Sequence, residues 1–246
     1  MLGSIVNAGL IIACSLVGLL LSKGVNEKLN DTMMKGMALC VMFVGISGSL
    51  SGTFGGGEGK SNMLVLIVSM ALGGLVGELL DLDGRLNRLG DKIEAAMSKG
   101  ESKSKISEGF VTATMLYCVG AMAIVGSINS GVQGDHSILF AKSLIDGVTS
   151  IVLASQLGFG VMLSAIPVFI YQGAITLCAG FIAPYLSPTV IAEMSCIGNV
   201  IIIGISLNML KLTKIKVMNY VPGVFIAAII ALVAERIAPV AHFLYG

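Results

Sequence analysis

Long apolar stretches alternate along the chain with shorter segments that are rich in polar or charged residues. A membrane-spanning helix needs about 20 mostly apolar residues, and eight stretches are close to that length or longer. They cover residues 2–22, 32–50, 62–80, 109–129, 136–155, 158–185, 187–210 and 217–240. None shows the two-residue alternation of a membrane β-strand. The pattern predicts an all-α fold, a polytopic transmembrane helix bundle of about eight spans.

Composition supports this class of protein. Of the 246 residues, 55% are hydrophobic and only 12% are charged, whereas a soluble domain is about 25% charged. The formal net charge of +1 gives no field that would attract nucleic acid. The five cysteines lie within apolar stretches without C-x-x-C spacing, which indicates packing thiols rather than a disulfide or zinc site. We expect the lipid bilayer as a partner, no nucleic acid and no cofactor.

Basic residues are concentrated in three of the segments that connect the predicted spans. Lysine and arginine collect in cytoplasmic loops. The basic segments follow spans one, three and seven and contain Lys23, Lys28, Lys35, Arg85, Arg88, Lys92, Lys99, Lys103, Lys105, Lys211, Lys214 and Lys216. With eight spans all of them lie on one side, and only Lys60 and Arg236 lie on the other. We therefore expect both termini outside the cytoplasm. A re-entrant fifth segment would reverse the side of the last basic cluster, so the charges favour a true fifth span.

The segment after span three carries an apolar stripe. Leu82, Leu86, Leu89, Ile93 and Met97 recur at helical spacing, which predicts an amphipathic helix on the cytoplasmic surface. Residues 98–107 then form a polar linker. The alternative is a disordered loop throughout. The chain as a whole, residues 1–246, is predicted to be a single transmembrane domain with this helix and linker at about 81–107.

Two pairs of predicted spans share residues at equal spacing, which suggests a weak internal repeat relating spans two and three to spans four and five. The matching positions are Cys40-Val41 and Gly48-Ser49 with Cys118-Val119 and Gly126-Ser127, and Ser69 and Gly73 with Ser143 and Gly147. Internal repeats are common in transporters. Chance remains the alternative, because glycine and serine are frequent in all of these spans.

The fifth span contains an acid and a base within its apolar sequence. Lys142 and Asp146 are four residues apart and can pair along one helix face. Ser143, Thr149 and Ser150 add hydroxyl groups nearby. Ionisable residues inside the membrane are costly and by default indicate a functional site. The alternative is an ion pair that only fixes helix packing.

Uncharged polar residues in other spans are further candidates. Gln172 lies in the middle of span six, where Pro167 can kink the helix. Asn7 lies on a face of small residues in span one, and Asn199 lies in span seven, where Glu193 is near the outer end. These amides can bind a solute or form interhelical hydrogen bonds, which contribute about 1 kcal/mol.

Enzyme motifs are almost absent. The sequence has no H-E-x-x-H, P-loop or Rossmann fingerprint. The tetrapeptide Gly45-Ile46-Ser47-Gly48 is similar to an intramembrane serine protease motif, but that chemistry needs a base within hydrogen-bond reach. The two histidines, His136 and His242, are near the outer ends of predicted spans. We therefore expect that the protein is not an enzyme.

Several stretches together resemble a bacterial membrane family known as domain of unknown function 554, over nearly the whole chain. They are residues 3–7 (GSIVN), 71–78 (ALGGLVGE), 118–127 (CVGAMAIVGS), 141–147 (AKSLIDG), 171–173 (YQG) and 222–223 (PG). The more specific parts are Val-Gly-Ala-Met and Lys-Ser-x-x-Asp-Gly. The resemblance implies an inner-membrane protein of a prokaryote and supplies no activity.

The polar residues favour a small secondary transporter or permease with a polar cavity near the membrane midplane. Asp146 would bind a cation, a proton or a cationic group, and Lys142 would balance its charge. Gln172, Asn7 and Asn199 would orient a small polar solute. The alternatives are a membrane scaffold or assembly partner that docks through the amphipathic helix, and a passive channel. A homo-oligomer is also compatible with the sequence.

Overall fold

The computed structural model describes residues 1–22, 27–54, 59–97, 105–118 and 121–245. Within these ranges every regular element is a helix. The first six are α1 Leu2–Ser22, α2 Glu27–Phe54, α3 Met63–Leu80, α4 Leu82–Met97, α5 Lys105–Cys118 and α6 Ala121–Val132. The next six are α7 Ser137–Leu157, α8 Gly160–Leu163, α9 Ala165–Ile182, α10 Pro188–Met209, α11 Val221–Arg236 and α12 Ala238–Tyr245. Short 3-10 helices, Ala183–Tyr185 and Val217–Tyr220, follow α9 and precede α11.

Seven helical segments within the described ranges are long and apolar enough to cross a membrane, and α5 with α6 makes eight if that bent pair is one span. Large apolar side chains such as Phe43, Leu79, Leu177 and Phe181, each at least 70% exposed, lie on the surfaces of these segments. A surface of this kind is stable in lipid rather than in water. The prediction of an all-α polytopic transmembrane bundle is confirmed.

The fourth predicted span differs most from the sequence-based expectation. The sequence predicts a span over residues 109–129, and in the structure two helical segments, Ile106–Cys118 and Met122–Val132, lie at an angle of 60° to each other. Hydropathy does not reveal this bend, because the whole stretch is apolar. The fifth segment, where the charge pair raised the question of a re-entrant loop, is instead the continuous helix α7.

The segment after span three is partly as predicted. The amphipathic helix is present as α4, so the alternative of a disordered loop throughout is wrong. The linker is shorter than residues 98–107, because α5 already begins at Lys105; residues 98–104 lie outside the described part of the chain. The cytoplasmic position of α4 stays a prediction.

Local sequence signals set several helix ends. The Asn62 side chain accepts a hydrogen bond from the Leu64 backbone N–H at 2.7 Å and caps α3. Asp81 has a left-handed backbone, with φ of 47°, and separates α3 from α4. Ser187 caps α10 by accepting from the Val190 N–H at 3.1 Å. The eighth predicted span, 217–240, ends earlier at Arg236, because the next residue, Ile237, has an extended backbone with φ of −117° and ψ of 94°.

The chain divides into two compact units. The first contains Met1–Ala38, Gly84–Cys118 and Met122–Phe181, and the second contains Leu39–Asp83, Val119–Ala121 and Ile182–Gly246. The internal repeat and the single-domain organisation stay predictions. One difference between the proposed repeats is clear: α2 is continuous through Cys40 and Ser49, whereas the corresponding stretch contains the α5–α6 bend.

Within the first unit α1 packs along α7. The buried face of α1 consists largely of small residues, including Gly3, Ser4, Ser15 and Gly18. A Cβ added at Gly3 would lie 2.6 Å from the Leu139 side chain. Small residues of this kind let two membrane helices approach closely, and this approach carries Asn7 toward α7.

Candidate functional site

Four of the five predicted binding residues meet in the interior of the first unit. Asn7 comes from α1, Lys142 and Asp146 from α7, and Gln172 from α9. Each is at most 6% exposed. We call these four residues the polar network.

Hydrogen bonds join the members of the polar network. The Asn7 amide Nδ2 donates to Asp146 Oδ2 at 3.1 Å and to Gln172 Oε1 at 3.1 Å. The Lys142 ammonium forms an ion pair with the same Asp146 oxygen. A single carboxylate oxygen therefore receives donors from two helices, and Asn7 links α7 with α9.

Two polar atoms of the network have no hydrogen-bond partner in the described part of the chain. They are Asn7 Oδ1, an acceptor, and Gln172 Nε2, a donor. A buried polar atom without a partner costs about 1–3 kcal/mol, so such atoms in a native interior call for an explanation. A small polar molecule that offers one donor and one acceptor would satisfy both atoms.

Tyr117 of α5 also belongs to this region, although no sequence pattern indicated it. Its side chain is 1% exposed, and its hydroxyl lies 2.8 Å from the Ser150 hydroxyl. The Lys142 Nζ lies 5.9 Å from the centre of the Tyr117 ring, within the range of a cation–π interaction. The aromatic face therefore helps to stabilise the buried ammonium group.

The hydroxyl groups expected near the charge pair have mostly local roles. Ser143 donates to the Leu139 carbonyl at 2.6 Å, and Thr149 donates to the Ile145 carbonyl at 2.8 Å. Both bonds lie within α7.

Pro167 lies in the first turn of α9, three residues after the turn at Ser164 that separates α8 from α9. A proline disturbs the preceding helical turn, so the break lies where the sequence places a possible kink; a kink at Pro167 stays a prediction.

Asn199, the fifth predicted binding residue, is not part of the polar network. It lies on α10 in the second unit. A Cβ added at Gly48 of α2 would lie 2.6 Å from Asn199 Oδ1. The contact indicates a packing position beside a glycine, and a role for Asn199 in binding stays a prediction.

Another polar group in the second unit is fully paired and connects helix ends. Glu78, near the end of α3, accepts from Lys216 at 2.5 Å and from the Asn219 amide at 2.6 Å. Asn219 in turn accepts from the Asp83 backbone N–H at 2.8 Å. The hydrogen bond to Glu78 raises the pKa of Lys216. The polar groups of Glu78, Lys216 and Asn219 thus serve as hydrogen-bond partners for one another, which indicates that this group has a structural role.

Comparison with known proteins gives, over almost all of the chain, the family that the sequence motifs indicated by resemblance. Residues 2–232 match the family described as protein of unknown function, DUF554. The uncharacterized membrane protein YdfK of Bacillus subtilis is 32% identical over 233 residues, covering 95% of this chain and 96% of the relative. The uncharacterized protein YqgA of Escherichia coli is 26% identical over 229 residues, covering 92% and 94%. No solved structure gives a significant match.

Proposed function

This chain belongs to the protein family of unknown function DUF554, and we propose that it is a small secondary transporter or permease of a prokaryotic plasma membrane. Its cargo is a small polar solute or ion. The observation that carries this proposal is the polar network, a buried ion pair with one unsatisfied donor and one unsatisfied acceptor beside it.

The chemistry of the network limits the class of solute. Lys142 and Asp146 balance each other, so the network is formally neutral. A neutral or zwitterionic solute therefore adds no net charge to the interior, which keeps its cost of burial low. In this scheme Asp146 binds a cation, a proton or the cationic group of the solute. Lys142 balances the negative charge of the Asp146 carboxylate. The free atoms of Asn7 and Gln172 orient the solute.

A thermal-shift screen of the purified protein tests the proposal. Amino acids, sugars, nucleosides and simple cations are tested one at a time against the wild type. We expect at least one to raise the melting temperature, because a ligand that binds only the folded state stabilises it. The shift, measured against each variant's own melting temperature, should disappear in Asp146→Asn. It should remain in Thr149→Val, a control on the same helix whose hydroxyl donates to the α7 backbone.

Persistence of the shift in Asp146→Asn would contradict the assignment of the polar network. A protein that responds to no solute but copurifies with a partner, and does so equally well in Asp146→Asn, would instead support a scaffold.

The proposed orientation in the membrane has both termini outside and α4 in the cytoplasm. Reporter fusions after Lys60, Lys92, Gly134 and Lys214 test it. We expect cytoplasmic signals at Lys92 and Lys214 and outside signals at Lys60 and Gly134. The fusion at Gly134 decides whether the bent α5–α6 pair crosses the membrane, because without that crossing Gly134 would report from the cytoplasm.

A further inference from the structure

Glu193 of α10 is a completely buried carboxyl group in the second unit, with 0% of its surface exposed. Its Oε1 atom accepts from the Asn62 backbone N–H at 2.7 Å and from the Tyr245 hydroxyl at 3.1 Å. Its Oε2 atom is buried and has no hydrogen-bond partner among the described residues. The two oxygens of one carboxyl group therefore have very different surroundings.

The end of helix α12 lies against this carboxyl group. Tyr245 at its end contacts Glu193, and the neighbouring Leu244 carbonyl accepts a hydrogen bond from the Asn62 side chain. Asn62 also caps α3. The start of α3, the end of α12 and α10 are thus joined around Glu193.

No basic side chain pairs with Glu193 in the described ranges. Titratable groups on the surrounding elements include Tyr245 itself and the exposed Cys40 thiol on α2, a helix that packs against α10 at Gly48. Others are Lys60, Cys196, Glu235, Arg236 and His242. Cys196 is a buried thiol that lies 3.7 Å from the Thr53 hydroxyl. The side chains of Lys60, Arg236, His242 and Glu235 are exposed. The Glu235 carboxylate accepts a hydrogen bond from the Ser187 hydroxyl at 2.5 Å. On α3 the acidic residue is Glu78, at the opposite end of the helix. The charge of an ionised Glu193 is therefore not balanced by a neighbouring cation.

A buried carboxylate without a counter-charge is very unfavourable, and such a group neutralises instead. We propose that Glu193 is a proton-binding site, distinct from the polar network, with the end of α12 lying against it. The proton from solvent adds to Oε2 and converts the carboxylate to the neutral acid, while Oε1 keeps its two donors. A metal cation fits less well, because it requires several oxygen ligands and Oε1 already accepts two hydrogen bonds.

Infrared difference spectroscopy of the full-length protein in lipid nanodiscs tests this proposal. The carbonyl band of a protonated carboxyl group is followed as pH is raised. We expect the wild type to show a band that disappears on ionisation and that is absent in Glu193→Gln. The band should remain in Asp146→Asn and in Glu235→Gln, which remove a carboxyl of the polar network and an exposed carboxyl. Glu193→Gln has the shape of the neutral acid and should fold.

Tyr245→Phe gives a second, graded test. It removes one hydrogen-bond donor to the carboxylate, and such donors favour the ionised form. The band should therefore persist to higher pH than in the wild type. If Glu193→Gln does not fold, this variant decides the matter: a displaced titration supports the proposal, and an unchanged one overturns it.

Two other results would overturn the proposal. One is a spectrum of Glu193→Gln that equals the wild-type spectrum throughout the pH range in which both are folded. The other is the absence of the band together with a rise in wild-type melting temperature when sodium chloride replaces choline chloride, a rise that Glu193→Gln lacks. That combination would identify a cation site.

Discussion

Asp146→Leu alone should lower the free energy of unfolding by about 3–5 kcal/mol, because it leaves the Lys142 ammonium buried without its partner. Lys142→Met alone should have an effect of the same sign, since it strands the carboxylate. The double variant Lys142→Met/Asp146→Leu removes both charges and should recover most of the lost stability. Unfolding of all four proteins in the same detergent, followed by helix content, gives the complete double-mutant cycle.

An exposed pair with the same spacing provides the control for this cycle. Asp31 and Lys35 on α2 form an i,i+4 ion pair with a distance of 2.6 Å, and their side chains are 51% and 59% exposed. Exposed pairs contribute less than about 1 kcal/mol, so Asp31→Leu and Lys35→Met should change stability little. If the substitutions at both pairs changed the free energy of unfolding equally, the burial of Lys142 and Asp146 would add nothing to the strength of their interaction.

Gly18→Ala should destabilise the protein by about 1–3 kcal/mol, the usual cost of adding a methyl group to a packed interface. A Cβ at Gly18 would meet the Ile151 carbonyl and lie 3.1 Å from the Ala154 Cβ, both on α7. The added group separates α1 from α7. It should therefore also weaken the hydrogen bond from Asn7 to Asp146, and with it the response to any solute found in the thermal-shift screen.

Gly9→Ala is the matched control on the same helix. Apart from the backbone of α1 itself, no atom of the described residues lies within 4 Å of a Cβ at Gly9. Alanine there should be neutral or slightly stabilising through its higher helix propensity. Melting temperatures of the two variants test the pair of expectations. Equal loss of stability in both variants would mean that the close approach of α1 and α7 does not depend on Gly18.

Hydropathy predicted most of the spans because membrane insertion depends on local composition. It predicted residues 2–22 as a span, and α1 has these same bounds. It could not reveal the 60° bend between α5 and α6, since residues on both sides of a bend in lipid are equally apolar. Hydropathy also could not reveal the end of the last span at Arg236, because Ile237, where the backbone becomes extended, is itself apolar.

The polar network could be predicted in part for similar reasons. Lys142 and Asp146 are unusual residues for a membrane span, so their sequence alone indicated a site. Asn7 and Asn199 look equivalent in sequence, and only the packing of α1 along α7 within the first unit shows that Asn7 reaches Asp146. Tyr117 gave no signal, because a tyrosine in an apolar stretch contacts Lys142 only through the arrangement of α5 and α7.

Solute uptake by the double variant Lys142→Met/Asp146→Leu tests the central claim most directly. The solute identified by thermal shift is added to proteoliposomes that contain either the wild type or the double variant. The melting transition of each preparation confirms that the amounts of folded protein are equal. If the polar network binds the solute, the double variant should be stable but transport nothing above empty liposomes. Wild-type uptake by a stable double variant would contradict the claim and leave helix packing as the role of the pair.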